Sequence, residues 1–238
     1  MNERMLSQIC PPIIWNRLGP WLSHTLKRGR ALRSRPSDDR SGVNDGYQDC
    51  DIYWDEDFAQ VLETWGEGNV WKEIEMIMSD REGVVLDIAC GTGKVIEILS
   101  RFDRLTLYGC DISDLLIQKA LDRGIAAERL KVCDATQTGY SDASFDYAYS
   151  IGSLEHFTEE GILKVIHECK RIVTKTVFHQ LPVSRSNKNE GWIKPLQSYY
   201  NNSVDWWLSK FRESYEHVYV IDSLWHDNLS VGKWFICR

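Results

Sequence analysis

From residue 84 onward, short apolar runs alternate with longer stretches in which apolar residues return every three or four positions. The first pattern is that of buried strands, and the second is that of helices with one face on a core. In order, VVLDIA (84–89) predicts a strand, KVIEILSRF (94–102) a helix, LTLYGCD (105–111) a strand and SDLLIQKALDRG (113–124) a helix. RLKVCD (129–134) and FDYAYSI (145–151) follow as strands, then EEGILKVIHECKR (159–171) as a helix and IVTKTVFHQL (172–181) as a strand. Such alternation implies a parallel sheet covered by helices on both faces. After a polar, aromatic-rich loop at 182–203 come a helix, VDWWLSKFRESY (204–215), and two strands, HVYVID (217–222) and GKWFICR (232–238). The short connection between these last strands permits a hairpin and therefore antiparallel pairing. The expected fold class is α/β: a doubly wound, mostly parallel seven-stranded sheet with helices on both faces and an antiparallel edge strand.

Ahead of this pattern, DEDFAQVLETW and NVWKEIEMIM have helical spacing, and residues 34–51 have the Ser, Asp, Gly and Asn content of a linker. Residues 1–40 carry eight basic and three acidic side chains, a net +5, whereas the remainder carries 20 basic and 32 acidic, a net −12. This division predicts a basic helical segment over 1–40 and one larger domain over 41–238. An acidic body disfavours a nucleic-acid partner, because affinity for phosphates comes mainly from Lys and Arg releasing counterions. Between residues 11 and 35, Ile14, Leu18, Trp21, Leu22 and Leu26 oppose Arg17, Lys27, Arg28 and Arg30. Two readings are open: peripheral contact with an anionic membrane surface, or short helices packed on the domain or on a partner. No run approaches the roughly 18 to 20 apolar residues of a membrane-spanning helix. Seven cysteines without a CxxC pair or zinc-like spacing suit a reducing cytoplasm and no metal site.

The most informative segment is VVLDIACGTGKVIEIL, a strand that ends in Asp87 and runs through Gly91-Thr92-Gly93 into a helix. Glycines at the carboxyl end of a first parallel strand let a ligand approach the backbone, where open α/β sheets bind nucleotides. The third glycine of a dinucleotide fingerprint is replaced by Ile96, and Asp87 would repel a pyrophosphate there, so a ligand with a cationic group fits better. Asp111 closes the second strand 20 residues beyond Gly91, the separation expected of a ribose-binding acid. Asp134 closes the third strand.

Together, LDIACGTG (86–93), GCDIS (109–113), CDAT (133–136) and FDYAYSIGSLEHF (145–157) make the chain resemble the class I S-adenosylmethionine-dependent methyltransferases, strongly over roughly residues 80–180. The resemblance implies a Rossmann-like domain with its cofactor half at 80–155, and acceptor elements at 47–78 and 182–203. It implies S-adenosyl-L-methionine as cofactor. The turn from Asp87 through Ala89, Cys90, Gly91 and Gly93 would face its methionine part, with Cys90 standing where many members have glycine. Asp111 would take the ribose hydroxyls, Ile112 would pack on adenine, and Asp134 and Ala135 would meet the adenine amino edge. Ser150 and Ile151 would lie near the sulfonium.

His156 follows the fourth strand and has two open roles: a general base, for which neutral imidazole is suited, or a residue that only orients a helix or contacts the cofactor. The Asp/Asn/Ser-Pro-Pro-aromatic signature of nucleic-acid amino-methyltransferases is absent, since Ser150-Ile151-Gly152-Ser153 stands there. Trp192, Tyr199 and Tyr200 are candidates for stacking an acceptor, Trp206 and Trp207 for core packing, and Tyr53 and Trp54 for a lid. The layout also resembles methyltransferases of bacterial surface-polysaccharide clusters, which implies a small-molecule or saccharide acceptor. A quinone precursor, an amine, or a non-catalytic cofactor-binding module remain as alternatives. The expected location is cytoplasmic, at most peripheral to the inner membrane.

Overall fold

The computed structural model describes residues 56–193 and 199–238. The basic segment 1–40, the linker, Tyr53 and Trp54, and residues 194–198 of the predicted acceptor loop lie outside the described residues.

Among the described residues, seven strands form one sheet. These are β1 (Gly83–Ile88), β2 (Leu105–Asp111), β3 (Leu130–Val132), β4 (Phe145–Ile151), β5 (Val173–Ser184), β8 (Val218–His226) and β9 (Ser230–Cys237), in the order β3-β2-β1-β4-β5-β9-β8. A separate two-stranded sheet pairs β6 (Trp192–Ile193) with β7 (Tyr199–Tyr200). Strands β1 to β5 are mutually parallel, while β9 runs antiparallel to both β5 and β8. The hairpin expected from the sequence is present, but the antiparallel strand is β9, inserted one place inside the edge, and β8 forms the edge itself. Residues of β9 are mostly buried, which suits the inner place beside β5, whereas β8 alternates half-buried with exposed positions, as suits an edge.

Helices α1 (Glu56–Leu62), α2 (Val70–Met78), α3 (Lys94–Leu99) and α4 (Asp114–Asp122) precede β4, and α5 (Glu159–Ile172) and α6 (Val204–Phe211) follow it. Ile74 and Met78 of α2, with Ile96 and Leu99 of α3, pack on Val85, Leu107, Tyr149 and Phe178 of one sheet face. On the other face Ile162, Val165 and Ile166 of α5, with Trp207 and Phe211 of α6, cover Leu86, Ala148, Val177 and Phe235. Side chains alternate between faces along each strand, so both faces of β4 and β5 are apolar, as expected of a sheet covered twice. Ser113, Thr158 and Ser203 cap α4, α5 and α6 by accepting backbone N–H bonds from Leu116, Gly161 and Trp206, each cap contributing about 1 kcal/mol.

This arrangement fixes where a ligand can sit. Strand order reverses between β1 and β4, and the carboxyl ends of strands flanking such a switch point diverge to leave a crevice. The register of Asp87 with Gly109 and with Tyr149 brings the ends of β1, β2 and β4 level at that crevice.

Candidate active site

The β1–α3 turn is built from left-handed residues: Ala89 has φ of 57°, Gly91 of 54° and Gly93 of 73°. Gly91 can hold this conformation without strain, and its N–H donates to Asp111 Oδ2 at 2.9 Å. Ala89 holds it despite a Cβ, a cost that clusters at ligand sites. Gly93 serves packing as well, since a Cβ there would stand 2.5 Å from Ile125 Cδ1 and 3.0 Å from Ala120 Cβ. Arg123, following α4, closes over this turn. Its Nε donates to the Thr92 carbonyl at 2.9 Å, and its terminal nitrogens pair with Glu97 and with Glu63, just beyond α1. Lys119 of α4 pairs with Glu56 of α1, so α1 is tied at both ends across the mouth of the crevice.

The crevice encloses a cavity of about 370 Å³ along the strand ends. Of the residues expected at the site, Asp87, Ala89, Cys90, Gly91, Asp111, Ile112, Ile151 and His156 line it. Ala135 lines a smaller adjoining recess with Cys133, Ile112 and Phe157. Gly93 and Asp134 lie outside both linings. Asp134 Oδ1 accepts from Thr136 N at 2.8 Å, whereas its Oδ2 is buried with no partner among the described residues. The Ser150 side chain turns to the opposite face of the sheet, where its Oγ meets His179 Nδ1 at 2.8 Å. Strand alternation dictates this, because Tyr149 and Ile151 face the crevice side and Ser150 cannot.

Asp87 is buried, and its Oδ2 has no partner among the described residues. Burial pushes its carboxyl well above the usual carboxylate range; the nearby Tyr149 hydroxyl works against this, and the Asp111 charge adds to it. Asp111 is raised too, by burial, although its Oδ1 receives Ser113 N at 2.9 Å and its Oδ2 receives Gly91 N. A carboxylate offers about four acceptor positions, so Asp111 retains capacity for hydroxyl donors after these two bonds. An unpaired buried carboxyl oxygen facing a turn with left-handed glycines fits a ligand bearing an ammonium group, and the Asp111 carboxyl fits vicinal hydroxyls. On both counts the residues suit S-adenosylmethionine.

Several lining residues were not singled out from the sequence. Trp65, Trp71 and Trp225 wall the cavity, and Glu155, Ser153 and Gln180 contribute polar atoms to it. Glu155 was within view in the segment holding His156, and burial is what sets it apart. Its exposure is 5%, its Oε2 has no partner, and burial raises its carboxyl to about 8. His156 Nε2 lies 3.8 Å from Glu155 Oε1, and its ring meets Tyr199 edge-on with centroids 6.4 Å apart. The aromatics expected to form an acceptor pocket are not in the cavity wall. Trp192 packs against Tyr200, and Tyr200 stacks on Trp206. Trp207 is fully buried in the core, as expected. Among the described residues, no group of three or more His, Cys, Asp or Glu side chains could hold a metal ion.

Comparison with known proteins agrees with this geometry. Residues 85–176 match the model of a family described as a methyltransferase domain. Over 110 residues the chain is 32% identical to a probable tRNA methyltransferase 9B of Mus musculus, covering 45% of this chain but 23% of that protein. Over 127 residues it is 28% identical to a demethylmenaquinone methyltransferase of Thermotoga maritima, covering 50% of this chain and 52% of the relative. The chain thus spans about a quarter and about half of the lengths of these relatives. Among solved structures, a phosphoethanolamine N-methyltransferase of Haemonchus contortus superposes with a TM-score of 0.59 at 15% identity, over 76% of this chain and 56% of that one. Residues 85–176 are therefore a methyltransferase domain, set in the class I fold of the S-adenosylmethionine-dependent enzymes.

Proposed function

We propose that the protein transfers a methyl group from S-adenosyl-L-methionine to a small molecule, with a sugar or other glycan precursor of the bacterial cell surface as the first acceptor to test. The observation that carries the cofactor reading is Asp87 Oδ2, without a partner among the described residues, beside the Gly91 turn, with Asp111 two residues beyond the strand neighbour of Asp87 and bonded to Gly91 N. In this reading Asp87 accepts from the ammonium group, Asp111 from the ribose hydroxyls, and Ile112 and Ala135 pack around adenine with Asp134 Oδ2 near its amino edge. Ile151 borders the reacting end. When bound, the cofactor supplies an electrophilic methyl group on a sulfonium, and the main task of the chain is to hold a nucleophile in line with it in a site closed to water. His156 borders the same space and is retained as a candidate base.

S-adenosylhomocysteine is expected to raise the melting temperature and NAD is not, because a ligand selective for the native state stabilises it by mass action. Asp111→Ala should remove most of that shift, weakening binding ten- to hundredfold, as loss of charged hydrogen bonds worth about 1.5 to 3 kcal/mol implies. A shift with NAD alone would sink the cofactor reading. Two other acceptor classes have a specific observation in their favour: a tRNA nucleotide, from the Mus musculus relative, and a quinone precursor, from the Thermotoga maritima one. Methyl incorporation into tRNA, quinone precursors, amines or sugar nucleotides separates them. Absence of turnover with all of them would favour a non-catalytic cofactor-binding module.

A further inference from the structure

The cavity is lined from five strands, with Asp111 at the end of β2 and Ile112 just beyond it, Asp87 next to last in β1, Ile151 at the end of β4, Gln180 and Pro182 on β5 and Trp225 on β8. Residues read as cofactor-binding occupy the β2 and β1 side. On the β4, β5 and β8 side lie three buried polar atoms with no partner among the described residues: Glu155 Oε2, Ser153 Oγ and Gln180 Nε2. Each such atom costs about 1 to 3 kcal/mol if nothing completes it, and such groups in a native fold call for an explanation. Gly232 makes room for the Gln180 amide, since a Cβ there would stand 2.8 Å from Nε2. Gly152 separates Glu155 from an aromatic wall, since its Cβ position is 3.6 Å from both Glu155 Oε1 and Trp65 Cη2. The same cavity is therefore lined by the indoles of Trp65, Trp71 and Trp225 together with an acid, a hydroxyl and an amide.

We propose that this β4–β5–β8 end is the acceptor subsite, that it takes a neutral ring bearing hydroxyl groups, and that Glu155 receives the proton released by the acceptor oxygen. The proposal rests on the methyl-transfer reading above. A hydroxyl both donates and accepts, so hydroxyl groups can accept from Gln180 Nε2 and donate to Glu155 Oε2. An ammonium group only donates and would leave the Gln180 N–H unpaired, and a phosphate would be repelled by Glu155 once ionised. Indole faces pack on the flat or apolar faces of phenol and sugar rings. As the acceptor oxygen bonds to the methyl carbon, the carbon–sulfur electron pair stays with sulfur and neutralises the sulfonium, while the oxygen's proton passes to Glu155.

The groups that face Glu155 are His156 beside it and Tyr199 from β7. On β5, His179 is turned to the other face and onto Ser150, and at the start of α5, Glu159 is held by Lys210. Burial holds the Glu155 carboxyl near about 8, and a base works best with its pKa near the operating pH.

The test uses the full chain with labelled S-adenosylmethionine and three probes: catechol, methyl α-glucopyranoside and benzylamine. Catechol and the glucoside distinguish a phenolic from a sugar ring. The expected result is transfer to one of these two, with kcat rising as pH passes through about 8. Glu155→Gln should lower kcat at least about a hundredfold while leaving the melting shift with S-adenosylhomocysteine intact. Glu155→Asp, which keeps a carboxylate one methylene shorter, should retain partial turnover and the alkaline rise. Saturation-transfer NMR on the S-adenosylhomocysteine-bound protein should detect the same ring that is methylated. Transfer confined to benzylamine, full activity of Glu155→Gln, or no binding and no methylation of either ring would overturn the proposal. Failure of S-adenosylhomocysteine to stabilise the protein would instead count against the methyl-transfer reading.

Discussion

Glu155 is a cavity residue whose surroundings strongly alter its chemistry, because burial moves its carboxyl from an ordinary 4.5 to about 8. A folded-state pKa above the unfolded value means that the fold favours the protonated form. The stability this contributes is complete below about 4.5 and declines as pH rises through about 8. Glu155→Gln removes that dependence, so melts followed by circular dichroism should show equal stability of variant and parent at pH 4 and a more stable variant at pH 9. Equal melting temperatures at both pH values would show that the acid is not desolvated. Gly93 makes a second case. Gly93→Ala combines a left-handed φ of 73° with a Cβ 3.0 Å from that of Ala120, and should cost about 1 to 3 kcal/mol, read as a lower denaturant midpoint. At this scale the sequence was informative where chemistry follows the chain. Asp87, Gly91 and Asp111 could be found because each closes a strand or a turn at a recognisable spacing. Glu155 and Gln180 could not, because what distinguishes them is burial without a partner, a property of neighbours far away in the chain.

Elements show the same division for a different reason. Strand and helix positions were legible from periodicity, since burial on one or two faces writes itself into the order of side chains. The place of β9 between β5 and β8 was not, because backbone pairing across the sheet leaves little trace in local sequence. Nor was the origin of the cavity's aromatic wall. Trp225 reaches it from the edge strand, whereas Trp192 and Tyr200, nearer in sequence to what looked like an acceptor loop, pack on each other. The described parts of that loop are joined by polar bonds: Glu190 accepts from Ser184, Ser186 and Asn201, and Asn201 in turn accepts from Ser230 of β9. Arg123 plays a comparable part for α1, joining Glu63 to the Thr92 carbonyl and to Glu97. Its guanidinium is largely buried and holds several acceptors at once, so it should matter more than an isolated surface pair. Arg123→Ala is expected to loosen α1 over the turn and speed release of S-adenosylhomocysteine about tenfold, measured by stopped-flow displacement. An unchanged rate would show that the Lys119–Glu56 pair and the close approach of Leu62 to Gly91 are enough to hold α1.

For the molecule as a whole, charge is the organising quantity. Residues 1–40 carry +5 and the remainder −12, while among the described residues the cavity lining begins at Phe58 and the sheet at Gly83. No helix among the described residues is long and apolar enough to cross a membrane. Deleting residues 1–40 is expected to leave a folded protein that S-adenosylhomocysteine still stabilises, because every described residue of the cavity and of both core clusters is kept. If the segment binds an anionic surface, the full chain should co-sediment with phosphatidylserine vesicles at low salt and the truncated chain should not. Rising salt should then release the full chain, since the attraction of each Lys or Arg near the surface, about 1 kcal/mol, is screened over roughly 8 to 10 Å at physiological ionic strength. A full chain that stays in the supernatant at low salt would assign the segment to packing on the domain or on a protein partner. An insoluble truncation would place the segment inside the folding unit and move the boundary near residue 40 toward the N-terminus.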